Sequence, residues 1–259
     1  MADGTRPVSS VRANCSDAEW DARLALDATY RIFDKLGWVE LIFNHITLRV
    51  PGPEHHILIN PYGLWYREVT ASNLDKIDLD GNIIGESEWG INPAGYVIHS
   101  AIHAAREDAC CVMHTHTTSG VAVSCQAEGL SPDNFYGSII GDRVAYHDFE
   151  GITCDVDERQ RLVANLGSKN FMMLRNHGLL TCGRTAAEAF QRLWTMQRAC
   201  DVQIMAQQAG RPLIPLSAEV VARSQQVTDN FEGKGKRAED RIFDALVRDV
   251  DRVDPSWRD

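Results

Sequence analysis

The sequence predicts an α/β fold in which helices cover both faces of a mixed or antiparallel central sheet. Short apolar or alternating runs typical of strands recur along the chain, and amphipathic segments typical of helices lie between them. The 259 residues are 44% hydrophobic, which is ample for a substantial core. Seven scattered cysteines without a C-x-x-C pair indicate reduced thiols rather than a disulfide framework.

Caps and turn residues define the predicted elements. Ser16, with Glu19 three residues later, predicts a capping box at the start of a long helix that Gly37 ends. Pro93 predicts the start of a helix over 94–106. The other predicted helices are 120–128, 157–166 and 185–210, and the predicted strands are 46–50, 56–59, 74–79, 83–84, 110–116, 144–146, 151–154 and 171–176.

The chain is expected to divide into three segments. Residues 1–16 are polar and rich in turn formers, so we expect them to be disordered. Residues 17–212 form the folded domain, and residues 213–259 form a C-terminal extension. Apolar residues at helical spacing in the extension predict a short amphipathic helix that docks on the body or on a neighbouring subunit. These residues are Ile242, Phe243, Leu246 and Val247.

Charge and hydropathy exclude some classes of function. The net charge of −10 argues against a nucleic-acid surface, which needs a basic face. No stretch approaches the roughly 20 apolar residues of a membrane span, and the N-terminal residues lack the apolar middle of a signal peptide. We therefore expect a cytoplasmic protein that binds neither nucleic acid nor membrane.

Three histidines predict a metal site. His114 and His116 alternate at the end of an apolar strand, so their side chains share one face. His177 ends a second strand-like run and precedes Gly178, where the backbone could turn and bring it alongside. Three neutral imidazoles suit zinc, iron, manganese or cobalt and leave a coordination position open. The alternative is a pair of half-buried strand histidines and an unrelated loop histidine.

Six strings together resemble the class II aldolase/adducin family, and its adducin-like branch in particular. They lie at 44–49 (NHITLR), 60–63 (NPYG), 94–102, 112–117 (VMHTHT), 145–148 (AYHD) and 175–179 (RNHGL), within a region of about 17–210. The resemblance implies a single α/β domain that assembles as a C4 tetramer with its site near a subunit interface. It also implies one divalent ion per subunit, usually zinc, held by His114, His116 and His177.

This chain differs from the family's sugar-phosphate aldolases at positions where those enzymes bind or protonate their substrate. Those enzymes carry a Ser-Ser-Glu segment where this chain has 93–95 (PAG), so their proton-carrying glutamate aligns with Gly95. Their phosphate-binding Gly-Asn turn aligns with 43–44 (FN), and the Thr of their Pro-Thr-Gly aligns with Tyr62. The resemblance therefore implies an aromatic-lined pocket that does not take a sugar phosphate. The substrate-binding residues carried over are Phe43, Asn44, Tyr62, Gly63 and Gly95.

A proton carrier must replace the missing glutamate. His147 is the first candidate, with Tyr146 beside it. Asp148 can set the tautomer of His147 only if the chain turns, because adjacent strand residues point apart. The alternative is that His147 makes a structural hydrogen bond at a strand end. His99 and His103, one helical turn apart, either orient the metal ligands or pack against the sheet.

Three functions follow as hypotheses. The first is a divalent-metal-dependent lyase that cleaves a carbonyl compound without phosphate, by retro-aldol reaction or decarboxylation; an aromatic substrate would find ring partners in the pocket. The second is a non-heme iron oxygenase with a three-histidine site. The third is a scaffold module like the head of adducin. The intact histidine set favours an enzyme.

A homo-oligomer, most simply a tetramer, is expected for a second reason besides the resemblance. The predicted helix over 185–210 presents a wide apolar surface that the sheet alone would not cover. The residues on that surface are Phe190, Leu193, Trp194, Met196, Cys200, Ile204 and Met205.

Overall fold

A mixed sheet lies at the centre of the computed structural model, which describes residues 10–151, 157–230 and 237–259. Its seven strands in the described residues are β1 (Ile46–Arg49), β2 (Ile57–Ile59), β3 (Asp75–Ile77), β4 (Cys111–Thr115), β5 (Val144–His147), β6 (Phe171–Leu174) and β7 (Gly178–Gly183). The strand order is β3-β2-β1-β4-β7-β6-β5, and all neighbours are antiparallel except β5 and β6. The predicted α/β class is confirmed. The strand predicted over 151–154 lies, beyond residue 151, outside the described residues.

Helices cover both faces of this sheet. Within the described ranges they are α1 (Ser10–Asn14), α2 (Asp17–Leu36), α3 (Pro93–Ala105), α4 (Thr118–Ser124), α5 (Phe135–Ile140), α6 (Glu158–Leu166), α7 (Ala186–Gln208), α8 (Ala218–Asn230) and α9 (Ala238–Val253). Short 3₁₀ helices occur at Tyr66–Glu68, Gly141–Arg143 and Pro255–Arg258. None of the helices in the described part of the chain is both long enough and apolar enough to cross a membrane.

The first long helix, α2, begins and ends where its caps predict. The Ser16 hydroxyl accepts a hydrogen bond from the backbone N–H of Glu19 at 3.1 Å, and Gly37 ends the helix with a φ of 70°. The reciprocal half of the predicted capping box is not formed, because the Glu19 carboxylate accepts instead from Arg23 (3.0 Å) and Lys76 (2.9 Å), which ties α2 to β3.

Side chains of β4 divide between the two faces of the sheet. Cys111 and Met113 pack in the larger core, which includes apolar residues of α2 and α7. Val112 packs on the other face with residues of α3 and α6. Because strand side chains alternate, His114 lies on the face that α3 and α6 cover. The predicted metal site is therefore built on that face.

The two termini differ from the prediction. Ser10–Asn14 form α1 within the segment predicted as disordered, and Arg12 pairs with Asp17 at 2.6 Å; residues 1–9 lie outside the described residues. The C-terminal extension contains two helices, α8 and α9, rather than one short helix. Phe243 and Val250 of α9 are buried in the core formed with α2 and α7, so α9 docks on its own chain.

The apolar surface of α7 is largely covered within one chain. Phe190, Leu193, Met196 and Cys200 are buried in the core, whereas Met205 is 71% exposed. The sheet, α4, α5 and α9 all pack against this helix. The expectation that an oligomer is needed to cover α7 was therefore wrong, and the expected tetramer depends on the family resemblance alone.

Candidate metal centre

Three histidines converge beyond the end of β4. The candidate ligand atoms of His114, His116 and His177 all lie within 4.8 Å of one another, and the Nε2 atoms of His114 and His116 are 2.7 Å apart. The ring centroid of His177 is 4.8 Å from each of the other two. Alternation along the strand brings the first two together, as the sequence predicts.

The third histidine, His177, lies in the turn between β6 and β7, and the position of this turn differs from the prediction. β6 ends at Leu174, and Asn176 adopts a left-handed φ of 56°. The backbone N–H of Asn176 donates to Ser124 O (3.2 Å), and that of His177 donates to Leu174 O (3.1 Å). Gly178, where the turn was predicted, instead starts β7.

Gly178 is required for close packing beneath the imidazoles. A Cβ at this position would lie 2.3 Å from Thr115 O and 3.3 Å from both the His114 and His116 rings. Any side chain here would therefore push β7 away from β4 or displace two of the three histidines.

The donor set fits a divalent ion. His114 Nδ1 lies 2.8 Å from Leu179 O, which accepts its proton and leaves Nε2 free to coordinate. Burial, with repulsion from His177 and His116, lowers the pKa of His114 well below its usual value. Burial lowers the pKa of His177 to about 4. The rings are thus neutral near pH 7, the form that binds a metal ion.

His45 fills the space beside Gly95. A Cβ on Gly95 would lie 2.5 Å from His45 Nδ1. The His45 ring lies 4.3 Å from the His99 ring and 6.0 Å from the His114 ring, centroid to centroid. His45 Nδ1 donates to Phe43 O at 3.4 Å, whereas its Nε2 is buried without a hydrogen-bond partner among the described residues. Gly95 therefore lies against an imidazole rather than an open pocket.

His99 and His103 pack against the sheet through a shared hydroxyl. Thr47 Oγ1 bonds His99 Nδ1 (2.7 Å) and His103 Nε2 (2.8 Å). Both imidazoles are 1% exposed, and burial lowers the pKa of His103 to about 3. Two roles were predicted for this pair: orienting the metal ligands or packing against the sheet. The bonds to Thr47 of β1 agree with packing against the sheet.

A cavity of about 490 Å³ opens beside His116. Asn44, a predicted substrate-binding residue, lines it, and the Asn44 Oδ1 atom is buried with no hydrogen-bond partner in the described part of the chain. The remaining polar lining comes from Glu40, Thr117, Thr118, Ser119, Gln197, Asp201 and Gln208. No local pattern in the sequence marks the α7 residues of this lining, which lie about eighty positions from the histidine pair.

The other predicted substrate residues do not line this cavity. Phe43 is 47% exposed, and its carbonyl accepts from Asn92 Nδ2 at 3.1 Å. Tyr62 bonds Gly90 O through its backbone N–H (2.8 Å), and a Cβ at Gly63 would lie 3.4 Å from the Trp89 ring. Phe43 and Tyr62 therefore do not form the aromatic wall that was predicted for them, and Trp38 is the one aromatic residue in the described lining of this cavity.

The side chains of His147 and Tyr146, the predicted catalytic pair, are hydrogen-bonded to residues outside the histidine cluster. His147 Nε2 lies 3.2 Å from Glu158 Oε1, and its Nδ1 lies 2.9 Å from Asn165 Nδ2. Both ring nitrogens thus face partners on α6, which favours the structural alternative. Tyr146 packs with the core on the opposite face of the sheet from His114, and its hydroxyl accepts from Leu130 N at 3.1 Å. The catalytic role predicted for Tyr146 is inconsistent with this orientation.

One aromatic residue at the site was missed by sequence reasoning. Phe149 is 51% exposed, and its ring lies edge to face with the His177 ring at 6.1 Å between centroids. It follows β5 by two residues, and nothing in the local pattern distinguishes it from other exposed loop aromatics.

Comparisons with known sequences agree with this architecture. Residues 25–204 match the family described as "Class II Aldolase and Adducin N-terminal domain". A protein of Caulobacter vibrioides, provisionally named as an aldolase class 2 protein, is 46% identical over all of both chains. Mouse α-adducin is 41% identical over 95% of this chain, which corresponds to 36% of that longer protein.

Solved structures extend the comparison to three dimensions. An aldolase II superfamily protein from Pseudomonas syringae is 47% identical, with a TM-score of 0.91 over 97% of this chain and 100% of that one. L-fuculose 1-phosphate aldolase from Glaciozyma antarctica is 27% identical, with a TM-score of 0.81 over 98% and 97% of the two chains. The chain belongs to the class II aldolase and adducin N-terminal domain family.

Proposed function

We propose that this protein is a divalent-metal-dependent carbon–carbon lyase that acts on a carbonyl compound without phosphate. The observation that carries the proposal is the convergence of His114, His116 and His177 as neutral imidazoles beside a polar cavity. The similarity to L-fuculose 1-phosphate aldolase supports lyase chemistry in particular. Retro-aldol cleavage and decarboxylation both suit such a site, since each places negative charge on a carbonyl oxygen.

The three histidines would hold one divalent ion per subunit, zinc being the first choice and iron, manganese or cobalt the alternatives. An ion held there would supply Lewis acidity toward a carbonyl oxygen. Asn44 offers a buried amide oxygen that could accept a hydrogen bond from a substrate hydroxyl. The hydrogen bond from His114 Nδ1 to Leu179 O keeps the ring oriented for this task.

The charge of the cavity supports a substrate without phosphate. Glu40 and Asp201 line the cavity, and its described lining includes no lysine or arginine. A phosphate dianion would meet two carboxylates and no cationic side chain in this lining, which disfavours its binding. The site also lacks a carboxylate at residue 95, because glycine occupies that position.

A scaffold role is the second candidate, because the 41% identity to mouse α-adducin covers most of this chain. Metal binding and turnover separate the two roles. We also propose a homotetramer, as the resemblance implies, in the cytoplasm, where the free thiols of the described cysteines are typical.

The test combines metal analysis with a substrate screen. Protein purified without added metal would be analysed for metal content, then incubated with hydroxycarbonyl compounds, aliphatic and aromatic, with and without phosphate. We expect cleavage of a phosphate-free compound at equal rates in air and under nitrogen. Oxygen-dependent turnover with bound iron would establish the oxygenase instead, and absence of both metal and turnover would support the scaffold.

A further inference from the structure

The lyase reaction needs a group that carries a proton between substrate atoms, and Gly95 cannot provide one. The space beside Gly95 is filled by His45, whose imidazole is only 5% exposed. His147, the first candidate from the sequence, has Glu158 and Asn165 against its ring nitrogens. None of Gly95, His45 and His147 lines the cavity beside His116, so the side chains that do line it are the next candidates for the proton carrier.

Two carboxylates line that cavity, and one of them is fully engaged. Asp201 Oδ1 accepts from the Ser119 hydroxyl and from Gln197 Nε2, the latter at 2.7 Å. Its Oδ2 accepts from Arg198 at 3.1 Å. Three donors hold Asp201 in place, so moving a proton onto it would break bonds that anchor α4 to α7.

Glu40 is the other carboxylate, and it is exposed and free. It lies in the loop between α2 and β1, and among the described residues its side chain has no hydrogen-bond or ion-pair partner. Its backbone is fixed, because its carbonyl accepts from Phe43 N at 2.9 Å and the next residue, Leu41, adopts a left-handed φ of 51°. Glu40 and the candidate ligand His116 line the same cavity.

We propose that the Glu40 carboxylate is the proton carrier of the lyase. In the cleavage direction Glu40 takes the proton of the substrate hydroxyl as the carbon–carbon bond breaks. The electron pair of that bond remains on the fragment that carries the carbonyl group, which leaves as an enolate. Glu40 then returns the proton to the enolate carbon and is again a carboxylate. The loop that follows α2 thus supplies the carboxylate that glycine cannot provide at residue 95.

This inference depends on the lyase function proposed above, and the enolate half-reaction tests both. Zinc-loaded protein in D₂O would be mixed with pyruvate, hydroxyacetone or dihydroxyacetone, and exchange of the carbon-bound protons next to the carbonyl followed by NMR. We expect Glu40→Gln to slow the exchange about 100-fold or more while keeping its zinc. Formate should partly restore exchange in Glu40→Ala, because the side chain is exposed. Glu88→Gln, an exposed glutamate outside the cavity, is the matched control.

The outcomes separate the two proposals. Exchange by Glu40→Gln at nearly the wild-type rate, with zinc bound, would exclude Glu40 as the carrier and leave the lyase intact. Loss of zinc from Glu40→Gln would show that Glu40 supports the histidines, which also contradicts a proton-carrying role. If wild type and Glu88→Gln exchange none of the three probes, the lyase proposal fails and the role of Glu40 fails with it.

Discussion

The imidazole of His45 occupies the space that any side chain on residue 95 would need. A Cβ on Gly95 would lie 2.5–2.6 Å from three atoms of that ring. These atoms belong to a rigid ring packed against His99, so displacing the His45 ring would cost packing free energy. The glycine and the histidine are thus a matched pair, one on α3 and one just before β1.

Gly95→Ala should destabilise the protein by about 1–3 kcal/mol, the usual cost of overpacking. The gain in helix propensity, at most about 1 kcal/mol, is too small to offset it. The cost should shrink in the His45→Ala background, where the ring is absent. Urea unfolding of the two single variants and the double variant gives the coupling energy. Additive effects would contradict the contact.

Gly95→Glu should not create sugar-phosphate aldolase activity. The new carboxylate would collide with the His45 ring, and the cavity still presents Glu40 and Asp201 to a phosphate. The measurement is cleavage of L-fuculose 1-phosphate by the wild type and the variant, at equal zinc content. Efficient cleavage by either protein would overturn the argument from the cavity's charge.

Acid should destabilise the metal-free protein. Burial lowers the pKa of His45 to about 4 and that of His103 to about 3, whereas an unfolded histidine titrates near pH 6.5. Between these values the unfolded chain binds more protons than the folded one, so stability is full above about pH 7 and declines as the pH falls toward 3. The urea concentration at the unfolding midpoint, measured between pH 7.5 and 4.5, should fall as the pH is lowered. His103→Gln should flatten the slope, and an unchanged slope would show that His103 does not contribute.

The assembly state needs a direct measurement, because α7 and α9 are covered within one chain. We expect a tetramer by sedimentation equilibrium at micromolar concentration. A monomer with full activity would rule out both the tetramer and any site shared between subunits.

Local patterns in the sequence predicted much of the fold. The Ser16 and Gly37 caps bound α2, and alternation at the end of β4 aligns His114 with His116, because both depend only on neighbouring residues. The turn before His177 was expected at Gly178, yet the left-handed residue is Asn176, a type that tolerates this conformation. The position of this turn depends on the antiparallel pairing of β7 with β4.

The rest of the site depends on contacts between distant segments. His45 meets Gly95 only because the loop before β1 packs on the start of α3, and the sequence offers no periodic signal for that contact. The partners that engage His147 come from α6, eleven and eighteen residues away. Gln197 and Asp201 line the cavity from α7, and both are hydrogen-bonded to Ser119 of α4. Neither the alternation of strand residues nor the helix caps in the sequence indicate these contacts between distant segments.

The metal content of the purified protein tests the central claim most directly. Protein isolated without added metal and analysed by mass spectrometry should contain about one divalent ion per chain. His116→Ala should lose most of it, because two imidazoles bind far more weakly than three, while His55→Ala, a partly exposed histidine away from the cluster, should keep it. Wild type without metal, or a full equivalent retained by His116→Ala, would contradict the three-histidine centre.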